Sequence, residues 1–196
     1  MILTKELRAE IRKRREPTVL MDGKSVPGSV AFIRDVLNTV TDPQDRDALL
    51  GELAGEYLRA NLDDEHLLVQ RERLANQPDA AIMWLGLAHS LSMRSDGADE
   101  AKRAVAKGVE ISRRVGTLIR YALTCEADVA RRTNDADLFA RALRDLIEDA
   151  SNARQEDSEL EGRLIESLPS GFCSALLEEQ YRQALARHGA KAPRDD

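Results

Sequence analysis

A chain of 196 residues with 42% hydrophobic and 33% charged side chains can bury a core and stay in solution, and its length suits one domain or one short array of repeats. Three Phe, three Tyr and one Trp, with 11 Gly and 6 Pro, argue against an all-β sandwich or barrel, which draws on aromatic and β-branched residues and frequent turns. A formal charge of −6 argues against a general nucleic-acid binder.

In chain order, the apolar spacing reads helical almost throughout. Residues 4–16 place Leu7 and Ile11 four apart among basic side chains, as in a helix that packs those two residues onto a body. Six basic and three acidic residues give residues 1–16 a charge of +3 and leave −9 for the rest. That contrast keeps open a second role for the segment, as an arm that swaps into another protomer or meets a nucleic acid or membrane. Glu6, Glu10 and Glu16 dilute the charge, and no aromatic interleaves it for base stacking. The same basic residues interrupt any export-signal core. Next, Asp22-Gly23 between Val19-Leu20-Met21 and Val26 could turn a small hairpin. A two-stranded ribbon is marginal alone, so an irregular loop is expected. Residues 1–28 thus read as a basic helix and loop ahead of the main body.

Ser29 is placed to cap a helix carrying Val30, Ile33, Val36, Leu37 and Val40. Asp42-Pro43 opens the next, with Pro at the first helical position; Leu50, Leu53, Ala54 and Tyr57 line one face, and the helix ends near Asn61. Asp63-Asp64-Glu65 favour a new helix N-terminus, with Leu67, Leu68 and Leu74 as its stripe. Pro78-Asp79 start the helix of Trp84, Leu87, Ala88 and Leu91, and after Ser95 to Gly97 comes that of Ala101, Ala104, Val105, Gly108 and Val109, closed near Gly116. Leu118, Ala122, Cys125 and Val129 make a further stripe, and Asn134-Asp135 cap a helix with Phe139, Ala142, Leu143 and Leu146. Two more follow, one with Leu160, Leu164 and Ile165, then, beyond Pro169-Ser170-Gly171, one with Cys173, Leu177, Tyr181 and Leu185; 189–196 read as a flexible tail. The total is about ten helices, an all-α chain. The longest apolar run, Ala80 to Ala88, has nine residues, well short of the roughly 20 a bilayer span needs, so no membrane partner is expected.

The chain also repeats itself. Shifting Leu85–Glu110 by 38 positions onto Leu123–Glu148 aligns seven identical pairs among 26, including Leu85/Leu123, Asp99/Asp137, Arg103/Arg141 and Ala104/Ala142. A shift of 34 carries Leu50, Leu53, Ala54 and Tyr57 onto Trp84, Leu87, Ala88 and Leu91. These matches sit on the apolar stripe and the turn, as copied helical hairpins require. Trp84-x-x-Leu87-Ala88-x-x-Leu91, its weaker copy Leu50-x-x-Leu53-Ala54-x-x-Tyr57 and the second-helix opening Asp99-Glu100-Ala101 resemble the tetratricopeptide repeat over about residues 47–150. The third copy departs from that pattern in carrying Glu126 where a small residue is expected, and other helical-hairpin families stay open. The resemblance implies a right-handed α-solenoid of stacked antiparallel helix pairs: hairpins at about 43–77, 79–115 and 117–150 and a capping pair at 156–188, all within one repeat domain at 29–188.

Reactive motifs are missing. His66, His89 and His188 have no ligand spacing to one another or to a Cys, and no HExxH, CxxC, GxSxG, GxGxxG or GxxxxGK[ST] occurs. The expectation is a non-enzyme without cofactor or metal. Cys125 and Cys173 fall on apolar stripes and read as two buried thiols in a reducing compartment, with the cytoplasm as the default location. The tetratricopeptide-like resemblance turns one face of each first helix toward a concave groove. That face carries Ile82, Leu85, His89 and Ser92, then Arg59 in the preceding copy and Arg120, Ala127 and Arg131 in the next. Arg59, Leu85, His89, Arg120 and Arg131 are therefore the candidate peptide-binding residues, since a guanidinium can fork onto a carboxylate of an acidic segment. A cytosolic chaperone or adaptor that grips a partner peptide or helix is the expected function. The alternative is a regulatory or nucleic-acid-associated protein working through the basic N-terminal segment, with the repeats as a homodimer surface.

Overall fold

The computed structural model describes residues 4–21, 23–149, 164, 168 and 171–189. The chain divides into two compact units, Met1–Pro78 and Asp79–Asp196, where sequence alone kept 29–188 together and set 1–28 apart. Among the described residues the structure is helical apart from one small sheet.

In the first unit, α1 (Lys5–Lys13) is capped by Thr4, whose hydroxyl accepts from the Leu7 amide, and it buries Ile11 with Leu7 partly covered, as expected. The expected loop is instead an antiparallel hairpin of β1 (Thr18–Met21) and β2 (Lys24–Pro27), paired through Val19 and Val26. The ribbon is not alone: Val26 is buried with α1 and α2 in the same core, and Gly23 turns at φ +79°, which glycine adopts without strain. The hairpin leads straight into α2 (Gly28–Leu37).

Ser29 does not cap that helix. The amides of Gly28 and Ser29 donate to the carbonyls of Pro17 and Arg14, at 2.6 and 2.8 Å, so backbone from the preceding segment satisfies the helix start. A Cβ on Gly28 would stand only about 3.0 Å from both carbonyls. Freed of capping duty, the Ser29 hydroxyl donates to Glu56, 2.9 Å away on the next helix.

That helix, α3 (Pro43–Arg59), opens as predicted, with Asp42 accepting from the amides of Gln44 and Asp45 and Pro43 in the first turn. Leu50, Leu53, Ala54 and Tyr57 are all buried. The chain turns at Asn61, φ +55°, into α4 (Asp63–Asn76). Here the predicted stripe fails: Leu68 is 66% exposed, while His66 and Val69 are buried. His66 is accommodated because its Nδ1 lies 2.8 Å from the Ala54 carbonyl of α3.

The second unit holds two consecutive hairpins. α5 (Ala81–Ser92) packs on α6 (Ala98–Val115), α7 (Ile119–Arg132) on α8 (Ala136–Glu148), and the pairs meet through α5–α7 and α6–α7 contacts, while α6 and α8 hardly approach each other. The crossing of α5 and α6 depends on Gly108, where a Cβ would stand 2.5 Å from Cδ2 of Leu85. Gly116 ends α6 at φ +74°, and Asp135 caps α8 by accepting from the Leu138 amide. Phe139, Ala142, Leu143 and Leu146 are fully buried. The final described helix, here α9 (Ala175–Gly189), packs on α8. Tyr181 is its buried anchor, and Phe172 just before it stacks edge-on against Phe139, centroids 5.3 Å apart. The predicted helix around Leu160 and Ile165, half of the expected capping pair 156–188, lies outside the described residues, as does the 190–196 part of the tail; Leu164 itself is helical and buried.

Candidate functional site

The exposed side chains of α5 fall on one stripe. Ile82, His89 and Met93 are spaced seven and four apart, which keeps them on the same side of a helix. They are 43%, 54% and 60% exposed. Beside them α7 carries Asp128, Arg131 and Arg132. Asp128 accepts from Arg131 Nη2 at 2.6 Å and from Arg132 Nε at 2.8 Å, the three-and-four spacing at which helical side chains meet. His89 Nδ1 of α5 reaches the same carboxylate at 3.7 Å, and Arg132 also rests against the Met93 sulfur. Burial pushes the Asp128 carboxyl up, but bonds from His89, Arg131 and Arg132 outweigh it and hold it well below the ordinary carboxylate range. The cluster carries two guanidiniums for one carboxylate, and each guanidinium has five N–H donors, so donor capacity remains for an incoming acidic group.

Of the five sequence-predicted residues, His89 and Arg131 are brought together, through Asp128. Leu85 and Arg120 are not on the surface: Leu85 is 1% exposed against Gly108, and Arg120 is 5% exposed. Arg120 Nη1 donates to the Leu146 carbonyl at 3.0 Å, in the last turn of α8. Both were expected to line the groove; α5 and α7 are each packed on more than one side, which leaves a narrower outward face than a two-helix repeat predicts. Ala127 and Ser92 are buried as well. Arg59 lies in the first unit and pairs with Glu56. Residues not foreseen are Asp128, Arg132 and Met93; the text Asp128-x-x-Arg131-Arg132 signals the charge cluster, whereas Met93 needed the observed end of α5.

Cys125 and Cys173 are half-buried rather than enclosed, and both are free. Burial pushes the Cys125 thiol up to about 11 despite a bond from Tyr121, and the Cys173 thiol likewise to about 11. A thiol so rarely ionised at neutral pH is a poor nucleophile. Among the described residues no three His, Cys, Asp or Glu side chains gather as a metal site, and none of the helices there is long and apolar enough to cross a membrane. The N-terminal cations are largely spoken for: Arg8 pairs with Glu52, Lys13 and Arg14 with Glu10, and Arg15 with Glu56. Searched against family models and curated proteins, the chain matches none.

Proposed function

We propose that this chain is a tetratricopeptide-repeat-like interaction module, non-enzymatic and without cofactor, that binds a partner peptide or helix over the α5/α7 face of its second unit. The observation that carries this reading is the exposed Ile82–His89–Met93 stripe beside the Asp128–Arg131–Arg132 cluster. Apolar side chains of a partner would cover Ile82 and Met93, and an acidic residue would take up the spare donors of Arg131 and Arg132, combining an apolar anchor with a polar rim. Two consecutive hairpins in which α7 packs on both α5 and α6 support the repeat-like class, and an adaptor or chaperone of the cytosol is the setting that class suggests. In this reading the basic segment of residues 1–16 is a packing element, since Arg8, Lys13, Arg14 and Arg15 serve carboxylates of their own unit.

The test is selection from a phage-displayed peptide library on the immobilised chain. Enriched peptides should share apolar positions and an acidic one, should lose binding to the Ile82→Glu/Met93→Glu variant, and should bind an Arg59→Ala control unchanged. They should also hold between low and moderate salt, where phosphate-driven binding to a nucleic acid would fall steeply. Peptides indifferent to the Ile82/Met93 substitution would overturn the reading.

A further inference from the structure

A second feature of the same unit lies apart from the α5/α7 face. Between α6, α7 and α8 there is an open cleft of about 490 Å3. It exists because α6 and α8 are joined by ion pairs, Lys102 to Asp135 and Arg113 to Asp145, rather than by close packing. Lining it is Glu126 of α7, whose side chain is only 4% exposed. Arg141 of α8 donates to its Oε1 at 2.9 Å while remaining 60% exposed itself. A carboxylate offers about four acceptor positions over its two oxygens, and among the described residues Arg141 is the one ion-pair partner Glu126 has. Asp135 and Asp137 add two further carboxylates to the lining.

The repeat makes Glu126 conspicuous. Shifted back by 38 positions it corresponds to Ala88, fully buried in α5, while Arg141 corresponds to Arg103. One copy of the hairpin closes this position with a methyl group; the other places a carboxylate there and leaves it one exposed cation. Burying a carboxylate is costly unless its acceptors are filled, and breaches of the local packing rule concentrate where a protein does something other than fold. Three carboxylates face two cations, Lys102 and Arg141, so the cleft has one unmatched negative charge.

We infer that this cleft receives a basic side chain, arginine or lysine, presented by a partner peptide and anchored on Glu126. The incoming cation takes the lone pairs that Arg141 leaves open, with Asp135 and Asp137 at its flank and Lys102 as the opposing charge that limits how tightly it binds. The cleft is lined by α6, α7 and α8 and does not depend on the reading of the α5/α7 face.

The experiment is a titration of the isotope-labelled full chain with a short end-blocked arginine peptide and with its citrulline counterpart, which keeps the shape and loses the charge, followed by amide NMR shifts. The arginine peptide should give saturable shifts centred on Ala106, Glu126 and Leu138, the citrulline peptide should not, and Glu126→Gln should weaken binding roughly tenfold, as loss of a charge-assisted bond does. Should Glu126→Gln fail to fold, Glu126→Ala serves instead, since it restores the residue of the first hairpin. Shifts elsewhere, no saturable binding, equal response to citrulline, or indifference to either substitution would overturn the assignment.

Discussion

Hairpin α5/α6 crosses on Gly108, where the second helix offers no side chain and Leu85 lies against bare backbone. Hairpin α7/α8, its copy by sequence, carries Leu146 at the corresponding position, fully buried, with Arg120 donating to its carbonyl, and buries the Glu126 carboxylate against Arg141. Their turns differ too. Gly97 starts α6 with its α-carbon so close to Leu91 that a Cβ would stand 2.2 Å from that carbonyl oxygen. The second copy instead runs α7 two residues further and reverses at Asn134, φ +55°, before Asp135 caps α8. Two sequences with the same apolar stripe thus reach the same topology, one by removing side chains from the crossing and the other by burying polar ones. The first hairpin closes as a tight seam; the second turns Glu126 toward the cleft between α6, α7 and α8.

Exchanging the residues at the crossing is the strongest way to break this contrast. Gly108→Leu forces a branched side chain into the space of Leu85 and should destabilise the chain by about 3 kcal/mol or more. The reverse exchange, Leu146→Gly, opens a cavity and loosens a helix, and should cost about 4 kcal/mol. Urea denaturation of both variants checks this; a tolerated Gly108→Leu would mean that the close approach of α5 and α6 is absent in solution.

Positions 82 and 120 correspond in the repeat but differ in burial. Arg120→Ile removes the donor from the Leu146 carbonyl at the end of α8 and should cost about 2 kcal/mol. Ile82→Arg, the same exchange in the other direction, places a charge on an exposed stripe and should shift stability by less than about 0.5 kcal/mol. Equal effects at the two sites would erase the distinction between a surface-facing first copy and an enclosed second one.

What sequence made legible in these hairpins was whatever depends on neighbours a few residues away. The Asp42-Pro43 and Asn134-Asp135 helix starts, the Gly116 stop, and the stripes through Leu50–Tyr57 and Phe139–Leu146 are set by local hydrogen bonding and helical period. What needed the folded chain was anything decided by a distant partner. Ser29 caps nothing because carbonyls of Arg14 and Pro17 arrive first, and Leu68 stays in water because His66 finds the Ala54 carbonyl. For the candidate site, the Asp128–Arg131–Arg132 cluster is written in one helix, but its meeting with His89 requires the α5–α7 contact. The packing of α5 and α7 on several neighbours leaves a narrower outward face than helical period alone predicts, and Leu85 and Arg120 fall on its buried side.

Asp128 gives the contrast a pH dependence, since the first copy has Ser90 there. Its folded carboxyl is held below the ordinary value by three donors that outweigh burial. The charged form therefore stabilises the fold at neutral pH, and the contribution fades as pH falls from about 4, the unfolded value, toward the lower folded one. Asp128→Asn should cost about 1 to 2 kcal/mol at pH 7, discounted for the partial exposure of its partners, and the gap to the natural chain should close under acid. Thermal unfolding stepped downward in pH from 7 through 3 measures it: the gap should begin to narrow below about pH 4, and a gap that does not narrow at all would mean the carboxylate's charge contributes nothing.

The smallest expected effect is the most informative about the cleft. Glu126→Ala restores the residue of the first hairpin, removes a desolvated carboxylate and releases an Arg141 that water can reach, so stability should change by no more than about 0.5 kcal/mol in either direction. Arg141→Ala leaves that carboxylate enclosed with no cation of its own, softened by the cleft's opening to solvent, and should cost about 1 kcal/mol. Such an asymmetry identifies Glu126 as a charge the fold tolerates without drawing stability from it, which is the condition under which a role in recognition is needed to account for it. If both substitutions cost the same, the ion pair itself stabilises the second hairpin, and the difference between the two copies is one of packing alone.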